Sequence, residues 1–211
     1  LSQMRMEDSI CALARSKQCV IVGDQQQLPP SNQFNANTDD DEDEENDLVE
    51  ESILDLATSR FRANRMLKWH YRSRHESLID FSNHHFYQNQ LIIPPSPVTT
   101  SAVTTSKVEA YYKGKINIQE KDKLIKDLIP FMSANIRKGD GDKKSKSCLI
   151  VTMNIFQAES IEDDLNKRKL EHPIIEEYEN SWKDTGEEFT VKNLESVQGD
   201  ERDVIFISTL F

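Results

Sequence analysis

Residues 148–170 read CLIVTMNIFQAESIEDDLNKRKL, and this stretch decides the fold class. Its first six residues form a continuous apolar run, rich in β-branched side chains, of the kind that lies buried in the middle of a sheet. Asn154 comes next, a residue that caps helices well, and a helix is predicted from there to about Leu170. A buried strand followed directly by a helix is the repeating unit of parallel α/β sheets.

The same alternation runs through the rest of the chain. Further helices are predicted at 5–16, 48–59, 74–87 and 118–136, and further strands at 18–24, 67–69, 108–114, 189–193 and 203–211. Pro130 falls inside the last of these helices and is expected to bend or break it. Apolar strands that alternate with amphipathic helices predict an α/β fold, with a mostly parallel sheet covered by helices on both faces.

Negative charge is concentrated in one segment. The chain of 211 residues has a net charge of -11, but ten of its 37 acidic residues fall in residues 39–51, DDDEDEENDLVEE. Outside that run acidic and basic groups nearly balance, so the net charge does not exclude nucleic acid as a partner. The run itself is expected to be a solvated, mobile loop; the alternative is that it mimics nucleic acid or holds a basic partner.

Neither a membrane span nor an export signal is visible in the sequence. No apolar run approaches the roughly 20 residues that a membrane span needs. The first residues, LSQMRMEDS, lack the basic start and the apolar stretch of a signal peptide. Cys11, Cys19 and Cys148 show no CxxC spacing and are predicted to be buried free thiols in a reducing compartment, which favours a cytoplasmic location. A disulfide or a metal role is the alternative.

The first candidate motif is GDQQQLPPS, residues 23–31, at the carboxyl end of the predicted strand 18–24. Open parallel sheets bind their ligands at that edge. Asp24 is followed by three glutamines rather than a second acid, so it does not match the paired acids of a Walker B strand. A plain turn with a polar rim is the alternative.

The second candidate motif is WHYRSRHESLIDFSNHHFY, residues 69–87. Tyr71 offers a ring that can stack on a base, and Arg72 offers a guanidinium that can form paired hydrogen bonds with phosphate oxygens. The alternative for Arg72 and Arg74 is an ordinary surface pair. The five histidines of the chain show no metal-ligand spacing.

The third candidate motif is LESVQGDERDVIFIS, residues 194–208, in which a polar turn with one glycine precedes a strongly apolar strand. A solvated turn is the alternative. GDGDKKSKS, residues 139–147, looks like a phosphate-binding loop, but it lacks a glycine directly before the lysine and leads into a strand instead of a helix. We therefore interpret residues 139–147 as a basic loop.

In this order, the three motifs resemble superfamily 1 helicases, in the 5′-to-3′ branch that contains the RNA-surveillance and DNA-replication helicases. The pattern there reads GDxxQLxP, YRxxHxxLxxFxxxxFY and SxQGxExDVIxxS, and the match spans nearly the whole chain. The acidic run and WHYRSRHESLI look most like a bacterial group of large multidomain proteins. The resemblance implies RecA-like domains: residues 1–65 would end the first one, and residues 66–211 would form the second one, truncated at its C-terminus.

The resemblance also implies a role for each motif residue. Gln27 and Arg72 would contact the γ-phosphate of ATP as catalytic residues, and Tyr71 would stack on the adenine. Glu201 would bond the ribose. The other residues implied by the motifs are Gly23 and Asp24 for nucleotide binding, and Pro29, Ser196, Gln198 and Gly199 for nucleic acid.

These residues would make up only part of a motor. The chain has no GxxxxGK[ST] phosphate-binding loop, and the acids that bind Mg²⁺ are expected to lie outside it. The predicted function is therefore a fragment of an ATP-dependent DNA or RNA helicase or translocase, which uses ATP and Mg²⁺ and moves on single-stranded DNA or RNA. The fragment alone is expected to be inactive.

The implied partners are the missing N-terminal part of the motor and a possible nuclease domain downstream, with no membrane. Two alternatives stay open at this point. One is a degenerate RecA-like scaffold without ATPase activity. The other is the ATPase part of a nuclease or restriction system.

Overall fold

The computed structural model describes residues 4, 6–27, 52–110, 114–139 and 141–210. The chain forms two compact units, Leu1–Thr105 and Ser106–Phe211. The acidic run 39–51 and Pro29 lie outside the described residues. The domain boundary between residues 65 and 66 stays a prediction. Within the described ranges, no helix has both the length and the apolar character to cross a membrane.

The first unit contains short helices and long connections. Its elements are α1 (Met6–Arg15), α2 (Ile53–Arg60), a 3₁₀ helix (Glu76–Leu78) and α3 (Asp80–His85). Ser52 caps α2, because its hydroxyl oxygen accepts a hydrogen bond from the backbone N–H of Asp55 over 3.2 Å. The helix contacts α1 and buries Ile53, Leu54 and Ala57.

Two strands predicted in the first unit are not formed as expected. Residues 18–24 contain no strand, and Val20 and Val22 are exposed by 80% and 58%. A strand needs a neighbour for its backbone N–H and C=O groups, and among the described residues no strand lies beside this segment. The strand predicted at 67–69 is reduced to one parallel bridge between Trp69 and Ile92.

The helix predicted over 74–87 is shorter and interrupted. It begins only at the 3₁₀ helix, because the side chain of His75 accepts a hydrogen bond from the backbone N–H of Ser77 and so acts as a cap. Ile79, with φ -123° and ψ -11°, separates this turn from α3. After α3 the chain reverses through Gln88 and Asn89, which both have positive φ.

The second unit is built on a parallel three-stranded sheet. β1 (Cys148–Thr152) lies between β2 (Val191–Asn193) and β3 (Val204–Ser208). Thr152 is aligned with the last residue of each neighbour, so the three carboxyl ends meet at one edge. The helices around the sheet are α4 (Ile118–Ala134), α5 (Ile155–Arg168) and α6 (Ile174–Ser181). This arrangement confirms the predicted α/β fold and is consistent with a RecA-like helicase domain.

The hydrophobic core lies between the sheet and these helices. β1 is buried along its whole length. Cys148 and Ile150 belong to the main cluster of buried side chains, together with fully buried residues of the helices: Ile125, Leu128, Met132, Ile161, Ile175 and Tyr178. Val204 and Phe206 pack against the same cluster, whereas Ile205 and Ile207 point to the other side of β3 and are exposed by 45% and 58%.

The predicted helix start at Asn154 is confirmed. Its side-chain oxygen accepts a hydrogen bond from the backbone N–H of Gln157 over 2.8 Å. A bend or a break was predicted at Pro130, and the break is wrong, because α4 continues through this residue to Ala134. Burial of Leu128 and Met132 on either side offsets the one backbone hydrogen bond that a proline cannot donate.

Other expectations for the second unit had mixed outcomes. The strand predicted at 108–114 is absent from its described part, residues 108–110. α6 was not predicted, although Pro173 directly before it and the acidic residues of its first turn are helix-start signals. The prediction of buried thiols is confirmed for Cys148 and wrong for two cysteines of the first unit, Cys11 on α1 and Cys19 in the segment that forms no strand, which are both exposed.

Candidate functional site

The turn after Gly23 is organised by one carboxylate. Asp24 accepts a hydrogen bond from the backbone N–H of Gln26 at one oxygen, over 3.0 Å. Its other oxygen accepts from the side-chain amide of Gln27, over 3.2 Å. At Gly23 an added Cβ would lie 2.8 Å from a methyl group of Leu54, so the turn sits closely against α2. The predicted pair Asp24 and Gln27 is therefore in direct contact.

The same carboxylate reaches the end of the second motif. The Tyr87 hydroxyl donates a hydrogen bond of 2.5 Å to Asp24, at the oxygen that also accepts from Gln27. Burial raises the pKa of the Tyr87 phenol to about 12, and the hydrogen bond to Asp24 raises it further in the same direction. Tyr87 is thus a neutral donor at ordinary pH. No role for Tyr87 is predicted from the sequence.

Tyr71 and Arg72 follow a short paired segment. The backbone of Lys68 and His70 exchanges hydrogen bonds of 2.7 and 3.1 Å with Ile92. Tyr71 is 83% exposed and Arg72 is exposed as well. Neither side chain bonds to another residue in the part of the chain that the structure describes. A free ring and a free guanidinium side by side suit a nucleotide, with stacking on the base and paired hydrogen bonds to phosphate.

Three polar side chains hold the backbone near this pair; His75 and Asn83 are buried and Glu76 is half-exposed. His75 donates from Nε2 to the carbonyl of Val98 over 2.9 Å. The Glu76 carboxylate accepts from the backbone N–H of Ser96 over 2.8 Å, which keeps the pKa of this carboxyl below its usual range. Asn83 accepts from the backbone N–H of Leu91 over 3.0 Å. These side chains of the motif serve the loop 91–98 and not a ligand.

In the second unit, Ser196 lies just beyond the carboxyl edge of the sheet. Its hydroxyl donates to Asn193, the last residue of β2, and its backbone N–H donates to the Asn193 side chain over 3.1 Å. The chain here is tied to β1 as well, because the backbone N–H of Leu194 donates to Thr152 over 2.9 Å. Parallel sheets commonly bind ligands at this edge.

The rest of the third motif runs back towards the amino ends of the strands. Lys192 shares one face of the sheet with Val151, and its ammonium donates to Asp200 over 2.5 Å, so the turn passes over that face. Gly199 has a φ of +94°, a conformation that favours glycine. Gln198 and Gly199 are both exposed.

Glu201 lies at the opposite end of the strands from Ser196. It precedes β3, whose first residue pairs with Cys148, the first residue of β1. Its side chain is exposed and makes no hydrogen bond within the described residues. Arg202 beside it is engaged, because its guanidinium donates to the carbonyl of Glu188 over 2.8 and 3.0 Å. The structure therefore does not bring Ser196 and Glu201 together at one edge.

A buried glutamine at the carboxyl edge was also missed. Gln157 is fully buried and donates to the carbonyl of Asn117 over 3.1 Å and to the hydroxyl of Ser208 over 3.2 Å. Its oxygen accepts from the backbone N–H of Asn117 over 3.0 Å. It joins the starts of α4 and α5 to the end of β3. A polar residue in helical register with Ile161 and Leu165 was the signal that could have found it.

The described residues contain no group of three His, Cys, Asp or Glu side chains that could hold a metal ion. A surface groove between α4 and α5 is acidic on balance and contains none of the predicted site residues; Glu159, Asp163 and Asp164 line it together with Lys121 and Lys167. This groove therefore adds nothing to the predicted site.

No family model matches the chain. Two curated proteins are similar to it: "Uncharacterized ATP-dependent helicase MG140" of Mycoplasma genitalium and its homolog in Mycoplasma pneumoniae. Each is 32% identical over 218 residues, a match that covers 98% of this chain and 19% of the relative. The chain therefore spans less than a quarter of the length of these relatives. This similarity supports the interpretation of the chain as part of a helicase.

Proposed function

We propose that the chain is part of an ATP-dependent helicase or translocase of superfamily 1, in the 5′-to-3′ branch, and belongs to the C-terminal part of the motor. The observation that carries the helicase assignment is the similarity of 98% of the chain to two proteins named ATP-dependent helicases, while the superfamily, the branch and the position in the motor rest on the three ordered motifs. The parallel sheet and the three ordered motifs agree with it.

The first unit would contribute to the ATP site. Tyr71 would stack on the adenine, and Arg72 would donate hydrogen bonds to the γ-phosphate. Gln27, held by Asp24, would contact the γ-phosphate as well. Charge grows on the transferring phosphoryl group in the transition state, and a fixed guanidinium stabilises it. The exposure of Tyr71 and Arg72 supports these roles, because both side chains are available to a ligand.

The second unit would contribute to the nucleic-acid track. Ser196, Gln198 and Gly199 are exposed, and the missing side chain of Gly199 leaves its backbone open to a phosphate or a sugar. Glu201 would accept a hydrogen bond from the ribose of ATP, for which its free carboxylate is suited. Single-stranded DNA or RNA is the partner we propose. Mg²⁺ ligands would come from the rest of a cytoplasmic full-length protein.

The test is a turnover measurement on the full-length protein with Arg72→Ala, Arg72→Lys and Arg60→Ala. Arg60 is an exposed arginine in the last turn of α2 and serves as the matched control. We expect Arg72→Ala to lower kcat for ATP by about 10³ while binding of poly(dT) or poly(U) is kept. Arg72→Lys should restore little, because an ammonium cannot form the paired hydrogen bonds.

Two results would contradict the proposal. One is a wild-type protein without ATP turnover in the presence of either polymer. The other is an Arg72→Ala variant that hydrolyses ATP as fast as the Arg60→Ala control.

A further inference from the structure

We propose that Tyr87 is a positioning residue of the ATP site, which holds Gln27 in place through the carboxylate of Asp24. Tyr87 lies 63 residues from Asp24 in the sequence, at the end of the second motif. This inference rests on the proposed function, because it assigns Tyr87 a part in the same site.

The argument starts at the shared oxygen of Asp24. One carboxylate oxygen is fixed by the backbone N–H of Gln26 over 3.0 Å. The other accepts both from the Gln27 amide, over 3.2 Å, and from the Tyr87 hydroxyl, over 2.5 Å. Hydrogen bonds to an ionised acceptor are the strong ones, so the phenol sets where this oxygen lies. The Gln27 amide follows the oxygen.

Tyr87 is itself fixed relative to the Tyr71–Arg72 pair. Its carbonyl accepts from the backbone N–H of Gln90 over 2.9 Å, which closes the turn after α3. Two residues beyond that turn, Ile92 forms the backbone hydrogen bonds with the segment directly before Tyr71. Hydrogen bonds and short backbone segments therefore connect Gln27 to the backbone just before Tyr71 and Arg72, and the bond between Tyr87 and Asp24 is the long-range step.

The Tyr87 phenol keeps its proton over a wide pH range, which suits a lasting hydrogen bond to Asp24. Tyr87 is half-buried, and its pKa is raised to about 12 by burial and then by Asp24, so it stays a donor at every pH at which an enzyme works. A carboxylate that lost this donor would keep only the backbone of Gln26 and the flexible Gln27 amide. Gln27 would then be held less firmly by Asp24, and a less firmly held amide affects the transition state more than the binding of ATP.

The experiment uses the full-length protein with Tyr87→Phe, Asp24→Asn and the double variant, and measures kcat and KM for ATP with poly(dT) or poly(U). Phenylalanine keeps the ring and removes only the donor. We expect Tyr87→Phe to lower the stimulated kcat by about tenfold, the loss of one charge-assisted hydrogen bond, while KM changes by less than about twofold. The kcat of the double variant should be no lower than that of Asp24→Asn alone, because both substitutions disrupt the same interaction between Tyr87 and Asp24.

The matched control is Tyr178→Phe in the second unit. It removes a hydroxyl that donates to the carbonyl of Lys146 over 2.9 Å, so it also costs a hydrogen bond but touches no predicted site residue. It should leave kcat unchanged. A kcat that is equal in Tyr87→Phe and Tyr178→Phe overturns the inference, and so do strictly additive effects of Tyr87→Phe and Asp24→Asn. If the wild type shows no stimulated turnover, the proposed function fails and this inference fails with it.

Discussion

The two units of the chain differ in how many of their apolar side chains are buried. In the second unit Ile125, Leu128 and Met132 are fully buried against the parallel sheet. In the first unit Val20 is 80% exposed and Trp69 is 68% exposed. Burial of one such side chain contributes about 1.5–3 kcal/mol. The second unit is therefore stabilised mainly by its hydrophobic core. The first unit depends more on polar contacts.

Hydrogen bonds from side chains to the backbone supply much of the order in the first unit. His75, Glu76 and Asn83 each fix a different point of the loop 91–98. A net contribution of about 1 kcal/mol per bond is typical. The comparison teaches that Tyr71 and Arg72 lie in a unit held largely by polar contacts, whereas Ser196, Gln198, Gly199 and Glu201 lie in a unit with an apolar core. Substitutions should reveal this difference directly.

The largest effect is expected at the core of the second unit. Leu128→Ala leaves a cavity where the side chain is fully buried, and it should lower the free energy of unfolding by about 2–5 kcal/mol. The rate of alkylation of Cys148 measures this in a chain with Cys11→Ser and Cys19→Ser. The Cys148 thiol is buried and its pKa is raised to about 12, mainly by burial, so it reacts only when the unit opens.

Leu170→Ala is the matched control, because Leu170 is 91% exposed. If both substitutions accelerated alkylation equally, the core would not be the source of stability in the second unit.

A smaller effect is expected from His75→Ala in the first unit. The substitution removes the hydrogen bonds to Val98 and Ser77, and it should cost about 1–2 kcal/mol in local stability. Hydrogen exchange should therefore rise by about tenfold at the backbone amides near Val98, with no change in β1 or α5. Equal loss of protection in the sheet of the second unit would show that the two units do not differ as described.

The smallest effect is expected from Val20→Ser. The side chain is 80% exposed, so its replacement should change the free energy of unfolding by no more than about 0.5 kcal/mol. The midpoint of denaturation in urea checks this. A loss above about 2 kcal/mol would mean that Val20 is buried, as the sequence alone predicted, and that the first unit has a core of its own.

The parts of the fold that could be predicted are those with local signals. Asn154 marks a helix start by its own side chain, and the run of residues 148–152 can only be a buried strand or a buried helix segment. The same kind of apolar run at 18–24 gave a wrong prediction. A run of apolar residues indicates a preference for burial, but it does not predict whether another strand lies beside it.

In the candidate site too, local signals predict some residues, whereas others depend on contacts that only the tertiary structure makes. Tyr71 and Arg72 could be chosen from their side-chain chemistry and their place after a short apolar segment, and both are exposed. The hydrogen bond from Tyr87 to Asp24 could not be predicted, because it joins residues 63 positions apart in two different motifs, and the motifs do not state which side chains contact each other. Gln157 lay in a helix that was predicted, but its role depends on Asn117 and Ser208, which tertiary structure alone brings close.

The strand order of the sheet has a consequence for how the chain is made. Ser147, directly before β1, contacts Asp203, directly before β3, and these two residues are 56 positions apart. At a synthesis rate of about 5–20 residues per second, β1 exists for roughly three to eleven seconds before its second neighbour has been translated. A strand as apolar as CLIVT with an open edge is a template for pairing with other chains. Until β3 has been translated, the nascent chain therefore leaves one backbone edge of β1 without its partner strand.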